Sequence, residues 1–299
     1  MSDLIFHILR ATLSSATPIM LAALGGMFTY YANVFNIAME GMMLMGAFFA
    51  VYGSYFFGSW FIGIVFALLS GIVMALLFAM IAVYLRADEF VTGIGLNMLA
   101  LGWTTYALRS TFNVKGALIS PKIISLPKLS IPGFENLGSL GEIFSGHPFI
   151  LYVSFALAII FEFLIFESKF GMRLRATGED SETVKSAGIN PARMKLISTI
   201  LCGLLSALAG VYLSLGYVTL FSENMSNGRG WISLAIIILV KGRPLSILLL
   251  SLIFGFFESL GLIMQNYDIA PQFTSMIPYL ATLFVLYTYA KKKIRGEGF

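Results

Sequence analysis

Apolar residues run along this chain in long blocks separated by short polar stretches. Blocks such as "FIGIVFALLSGIVMALLFAMIAVYL" and "ISTILCGLLSALAGVYLSLGYVTL" are long enough, as helices, to cross roughly 30 Å of hydrocarbon. Nine segments can be marked, at about 11–30, 36–58, 60–85, 89–110, 149–167, 195–220, 230–241, 244–263 and 275–290. Only two gaps between them are long, 111–148 and 168–194. The pattern predicts an all-α membrane protein of about nine spans, with residues 1–299 forming one transmembrane domain.

Composition agrees with the pattern. Of 299 residues, 58% are hydrophobic and 11% charged, where a soluble domain carries about 25% charge. The net charge of +4 does not point to nucleic acid, because in such a chain basic residues report orientation in the bilayer first. With the gap 168–194 placed in the cytoplasm and the spans alternating from it, thirteen Lys and Arg fall inside and six outside. That scheme predicts a multi-pass protein of a bacterial plasma membrane, its N-terminus outside and its "KKKIR" tail inside. The apolar run after "MSDLIFHILR" is read as a retained first helix rather than a signal peptide. Cys202 stands alone in an apolar span, and His7 and His147 have no ligand neighbours, so neither a disulfide nor a metal site is expected.

An internal repeat organises the spans. A shift of 184 residues carries Gly26 onto Gly210, Gly46 onto Gly230, Gly58 onto Gly242 and Gly71 onto Gly255, and four spans onto four spans. Five spans separate the copies, so the second is inverted relative to the first, a common transporter architecture. The expected division is repeat 1 at about 11–110, an outer loop 111–148, a linking span 149–167, a cytoplasmic loop 168–194, repeat 2 at about 195–290, and a tail 291–299. Glycines crowding helix contacts would be the simpler reading of the same coincidences.

The loop "RLRATGEDSETVKSAGINPARMKL" has its own local logic. Asp180 can cap a helix whose positive end Glu182 also favours. Ser181 to Ala187 make about two turns, Gly188 suits a left-handed stop, and Pro191 forbids continuation. Val184, Ala187 and Ile189 give it an apolar side, and two turns need a surface to pack on. It is either a solvated loop or a docking helix for a cytoplasmic partner.

This segment resembles the coupling helix of ABC importer permeases, in the group serving branched-chain amino acids, ribose-type sugars and nucleosides. Gly178, Ala187, Gly188 and Ile189 stand in the matching places, within a coupling loop that also holds Glu179, Asp180 and Val184. "NIAMEGMMLMGAF", "VTGIGLNMLALG", "AGVYLSLGYVTLFSENMSNGRGWISLA" and "PLSILLLSLIFGFFESL" narrow the resemblance to the shorter permease of bacterial nucleoside importers. It implies a type II ABC importer-like fold, two ABC ATPase subunits, a second homologous permease in a heterodimer, and an extracytoplasmic substrate-binding protein or lipoprotein. The chain has no G-x-x-x-x-G-K-[ST] phosphate cradle. The resemblance therefore places ATP and Mg on the partner ATPase, with no cofactor and no covalent chemistry in this chain.

Three acids lie within apolar spans, Glu40, Glu162 and Glu258. Glu162 is expected to snorkel to the interface and Glu258 to serve helix packing. Glu40 follows Asn33 and Asn36 in "NVFNIAMEGMM", a composition that suggests a bent or partly unwound segment lining a cavity. The 184-residue shift sets Glu40 opposite Asn224 in "FSENMSNGRG", which also holds Glu223, Asn227 and Arg229. Asn36, Glu40 and Asn224 are the polar candidates for a substrate path, with Phe35 and Trp231 as stacking partners. Riboflavin or a simple sugar is the alternative cargo. An ion-coupled transporter would need a carboxylate or His relay, for which only Glu40 and Glu258 are available.

Overall fold

Helix ends in this chain are set by local chemistry as much as by hydrophobicity. A computed structural model describes residues 2–129 and 143–265, together with Met276 and Leu280. The rest of the expected span 275–290 and the "KKKIR" tail lie outside the described residues. Helix α1 (Ser2–Tyr31) ends in a non-helical elbow, and α2 (Met39–Phe57) follows. Helix α3 (Trp60–Phe78) runs on through a π-helical stretch, Ala79–Tyr84, and α4 (Glu89–Phe112) is capped by Asp88, whose side chain accepts from Val91 N. Beyond it lie β1 (Ala117–Leu118), β2 (Lys128–Leu129) and β3 (His147–Pro148), then α5 (Phe149–Phe166). The polar loop folds as α6 (Lys169–Glu179) and α7 (Ser181–Ser186). Helix α8 (Pro191–Val211) starts with proline in its first turn and continues as a π stretch, Tyr212–Tyr217. After β4 (Phe221–Ser222) come α9 (Arg229–Leu239) and α10 (Pro244–Met264). Two short antiparallel ladders, β1 with β4 and β2 with β3, tie the connecting segments together.

Among the described residues, five helical stretches are long and apolar enough to cross a membrane: Phe6–Tyr31, Trp60–Tyr84, Phe149–Phe166, Pro191–Tyr217 and Pro244–Met264. Helices α2 and α4, with 19 and 24 residues, also have about the length for a crossing. Helix α9 does not have the length. Its 11 residues rise about 16 Å at 1.5 Å per residue, half the thickness the sequence pattern assigned to segment 230–241.

Helix α1 is the axis of the bundle, with Ile19 to Leu24 fully buried. Helices α8, α9 and α10 pack on it, while α2, α3 and α8 pack on one another. Backbones approach closely where small residues allow it. A Cβ on Gly71 would fall 2.4 Å from Gly203 O, one on Gly210 2.1 Å from Met43 O, and one on Gly255 2.6 Å from Ala16 Cβ. The contacts also set depth. Ser233 donates to Ile19 O at 2.9 Å and Gly242 reaches Tyr30, so α9 begins beside the middle of α1 and ends at its C-terminal end. That end of the bundle, where Gly178 meets Tyr31, also carries α6 and α7. It is the arm end; the β1–β4 ladder marks the other.

Candidate functional site

The site begins at the elbow, residues 32–38. Asn33 holds a left-handed conformation (φ 52°) that asparagine tolerates better than most residues. Asn36 is buried; its Oδ1 accepts from Ala38 N at 3.0 Å, and its Nδ2 donates to Cys202 Sγ at 3.3 Å. Helix α4 clamps the unwound backbone from outside. Asn97 Oδ1 accepts from Gly41 N at 2.7 Å, its Nδ2 donates to Ile37 O at 3.1 Å, and the Glu89 carboxylate accepts from Phe35 N. Backbone groups that leave a helix inside a bundle need such partners, and here side chains supply them.

Glu40 stands in the first turn of α2 but serves another helix. Its Oε1 accepts from Gly228 N at 2.8 Å and its Oε2 from Gly230 N at 2.7 Å, so the carboxylate closes the N-terminus of α9. The positive ends of two helices thus converge on one carboxylate that is 9% exposed. Gly230 is obligatory, because a Cβ there would fall 2.6 Å from Glu40 N. Arg229, between the two glycines, pairs with Glu258, and both side chains are 13% exposed. Arg229 also donates through Nη1 to Met225 O and Ser226 O, at 3.1 and 3.3 Å. Glu258 is therefore an ion-pair partner, beyond the packing role expected from sequence.

Two cavities flank this junction. An inner one of about 630 Å³ lies at the arm end. It is lined by the end of α1 (Thr29, Tyr30, Tyr31), the elbow (Asn33, Phe35, Asn36), Met39, Phe166, Arg175 and Glu179 of α6, and apolar residues of α9. An outer one of about 440 Å³ is lined by Tyr217, Ser222, Glu223, Asn224, Asn227 and Arg229. Glu40, next to Met39 in the chain and bonded on both sides of Arg229, stands between them. Of the residues expected to line a substrate path, Asn36 and Phe35 line one cavity and Asn224 the other, while Glu40, set opposite Asn224 by the repeat, bonds to Gly228 and Gly230 between them. Trp231 is 42% exposed and lines neither.

The arm has two faces. Asp180 Oδ1 accepts from Glu182 N at 3.0 Å and Thr183 N at 3.1 Å, and Thr183 Oγ1 donates to Oδ2. The Thr183 hydroxyl first, then the amides, hold this carboxyl below its ordinary range. Gly188 has φ 80° with open space at its missing Cβ. Lys185, Ser186, Ala187 and Gly188 are exposed, Ile189 is half-buried, and Val184 is buried at 6% exposure. Gly178 faces inward: a Cβ there would lie 2.2 Å from Tyr31 O. Its glycine is required by the seat of α6 against α1. Glu179 turns to the inner cavity.

The sequence pattern did not single out Asn97, Glu89 or Arg175. A lone amide in the apolar run "GLNMLALG" was the available signal for Asn97. Glu162 is engaged as well: its Oε1 accepts from Arg243 Nε at 2.9 Å and its Oε2 from Leu245 N at 3.2 Å, at the start of α10. Among the described residues no group of three or more His, Cys, Asp or Glu could hold a metal ion.

Known proteins share this chain's pattern over nearly its whole length. The family model described as "Branched-chain amino acid transport system / permease component" matches residues 8–286. The guanosine ABC transporter permease protein NupQ of Bacillus subtilis is 34% identical over 292 residues, 93% of this chain and 90% of NupQ. The putative glucose ABC transporter permease protein TsgC13 of Haloferax volcanii is 27% identical over 303 residues, with 93% and 90% covered. The nucleoside ABC transporter permease protein NupC of Lactococcus lactis is 30% identical over 295 residues, with 95% and 92% covered. Matched over residues 8–286 by that model and over 93% of its length by NupQ, this multi-pass chain belongs to the family of branched-chain amino acid transport system permease components.

Proposed function

We propose that the chain is the permease subunit of an ATP-driven importer and that its cargo is a nucleoside. The observation that carries this reading is the 34% identity to a guanosine permease over 93% of the chain. The nucleoside permease NupC, at 30%, supports it, and the glucose permease, at 27%, marks the sugar alternative. The inner cavity suits a flat base, since its wall combines tyrosine and phenylalanine rings with amides. Its volume lies within the roughly 300–1,000 Å³ of small-molecule sites.

In this reading the arm end is cytoplasmic and the N-terminus outside, as the distribution of Lys and Arg favours. Helix α9 and the irregular stretch before it cross together as one of about nine spans, the broken-helix construction found at transporter midplanes. The inverted repeat is supported by packing: a shift of 184 carries Trp60 at the start of α3 onto Pro244 at the start of α10, and α3 packs on α8 as α10 packs on α1. Cargo would pass from the outer cavity, beside Asn224, past the Glu40 junction to Asn36 and Phe35. The exposed face of α7, from Lys185 to Gly188, would dock on an ABC ATPase that holds ATP and Mg. A second homologous permease and an external binding protein or lipoprotein would complete the complex.

The test is ATP-dependent uptake by vesicles carrying the whole complex, offered labelled guanosine, uridine, glucose or riboflavin. Nucleoside uptake is expected. Glucose or riboflavin uptake with no nucleoside uptake would sink the cargo assignment and leave the permease standing.

A further inference from the structure

The inner cavity is built from two parts of the chain, the end of α1 with its elbow and the arm. Along one side runs a continuous aromatic string. The rings of Tyr30 and Tyr31 meet edge-on at 5.8 Å, Tyr31 meets Phe166 at 6.2 Å, and the Arg175 guanidinium lies over Phe166 at 5.2 Å. Facing it are Asn33 and Phe35 of the elbow and Glu179 of the arm. Arg175 Nε is buried with no hydrogen-bond partner among the described residues. Ring faces bind any planar heteroaromatic group, while an amide, a carboxylate and a guanidinium bind its polar edge.

We propose that this cavity is a release-side binding site for the base of the transported nucleoside, with the coupling arm as one of its walls. The proposal rests on the nucleoside reading above and adds a location and a means of release. Arg175 and Glu179 ride on α6; Tyr30, Asn33 and Phe35 belong to α1 and the elbow. Gly178 sits against the Tyr31 carbonyl, so the two parts meet backbone to backbone at the edge of the cavity. A displacement of the arm by a docked ATPase separates Glu179 and Arg175 from the elbow and takes the site apart. Binding is weak by construction, since Tyr30 and Phe35 remain 40% and 44% exposed. A release site that held its ligand tightly would slow turnover.

The experiment uses the complete complex in inside-out vesicles carrying Phe35→Cys. Native Cys202 is fully buried and silent toward an impermeant thiol reagent. Millimolar guanosine is expected to slow labelling of the introduced cysteine at least fivefold, and equimolar glucose to leave it unchanged. Glu179→Gln and Arg175→Ala should each cut that protection severalfold. Absence of guanosine protection in vesicles that still take up nucleosides overturns the site and leaves the cargo reading intact. Shielding that follows the ATPase subunit, with or without guanosine, makes the cavity a protein-docking cleft and also overturns it. Protection and uptake by glucose alone would overturn both readings.

Discussion

Helices α9 and α10 are neighbours in the chain, and neither has a side-chain cap of its own at its N-terminus. Each takes a glutamate from another helix. Glu40 reaches α9 at mid-bundle, where it is 9% exposed and makes two short bonds. Glu162 reaches α10 at the arm end with one bond of 3.2 Å, and shares its charge with Arg243, whose side chain is 63% exposed. The chemistry is the same and the surroundings differ. A buried charge-assisted hydrogen bond contributes about 1.5–3 kcal/mol, whereas an ion pair with one partner in solvent, as Arg243 is at 63% against 16% for Glu162, lies nearer the roughly 0–1 kcal/mol of surface pairs. One cap ties the first turn of α2 to the start of α9 inside the bundle; the other trims a helix end.

Removing the buried cap should have the largest effect. Glu40→Ala leaves the Gly228 and Gly230 amides without partners in the bundle, at about 1–3 kcal/mol each. Uptake should fall more than tenfold, with a clear drop in the melting temperature of the detergent-solubilised complex. Glu40→Asp, one methylene too short to reach both amides, should lie between. Wild-type melting and uptake in Glu40→Ala would refute the description of this carboxylate as the cap that joins α2 to α9.

Asn97 comes next, because it fixes the first turn of the helix that carries Glu40. Asn97→Ala frees the Gly41 amide and the Ile37 carbonyl, and the expected cost is about 1–3 kcal/mol for such groups. Thermal unfolding measures the loss, and uptake should fall severalfold. Combined with Glu40→Ala the losses should add to less than their sum, since both act on one junction.

Glu162→Gln should be mild, under about 1 kcal/mol. The difference from wild type should shrink further in high salt, which screens an exposed pair. A loss as large as that of Glu40→Ala would erase the contrast between the two caps.

The smallest effect belongs to a helix that caps itself. Asp180 has a lowered folded pKa, so its contribution to α7 is complete above the ordinary carboxylate value of about 3.9. It is lost as pH falls through the folded value. Hydrogen exchange over residues 181–186 should therefore be flat from neutral pH to about pH 5 and rise only in stronger acid, after correction for intrinsic rates. A rise already complete at pH 5 would contradict the Asp180 cap.

Local features were legible in the sequence because their causes are local. Asp180, Gly188 and Pro191 mark the ends of a short helix by rules that involve only near neighbours, and the structure has α7 from Ser181 to Ser186 with Gly188 left-handed. Long apolar runs marked the helices of the bundle, since burial in hydrocarbon depends on composition. Glu40 and Asn36 stood out because a carboxylate and an amide are costly in an apolar span. Their partners did not, because Gly228 and Gly230 lie 188 and 190 residues from Glu40 and contribute only backbone amides, which every residue except proline possesses.

Gly178 marks the boundary between the two kinds of knowledge. Its position pointed to a coupling loop, yet its glycine is required by contact with the Tyr31 carbonyl, on a helix far away in the chain. By itself the sequence determined the membrane class, the placing of most helices and the self-capped arm, all from short-range hydrophobicity and turn chemistry. Tertiary structure alone decided that α9 starts at mid-depth, which carboxylate closes it, and which residues share a cavity. Those depend on which backbones approach within a few ångströms, and no local pattern encodes that distance.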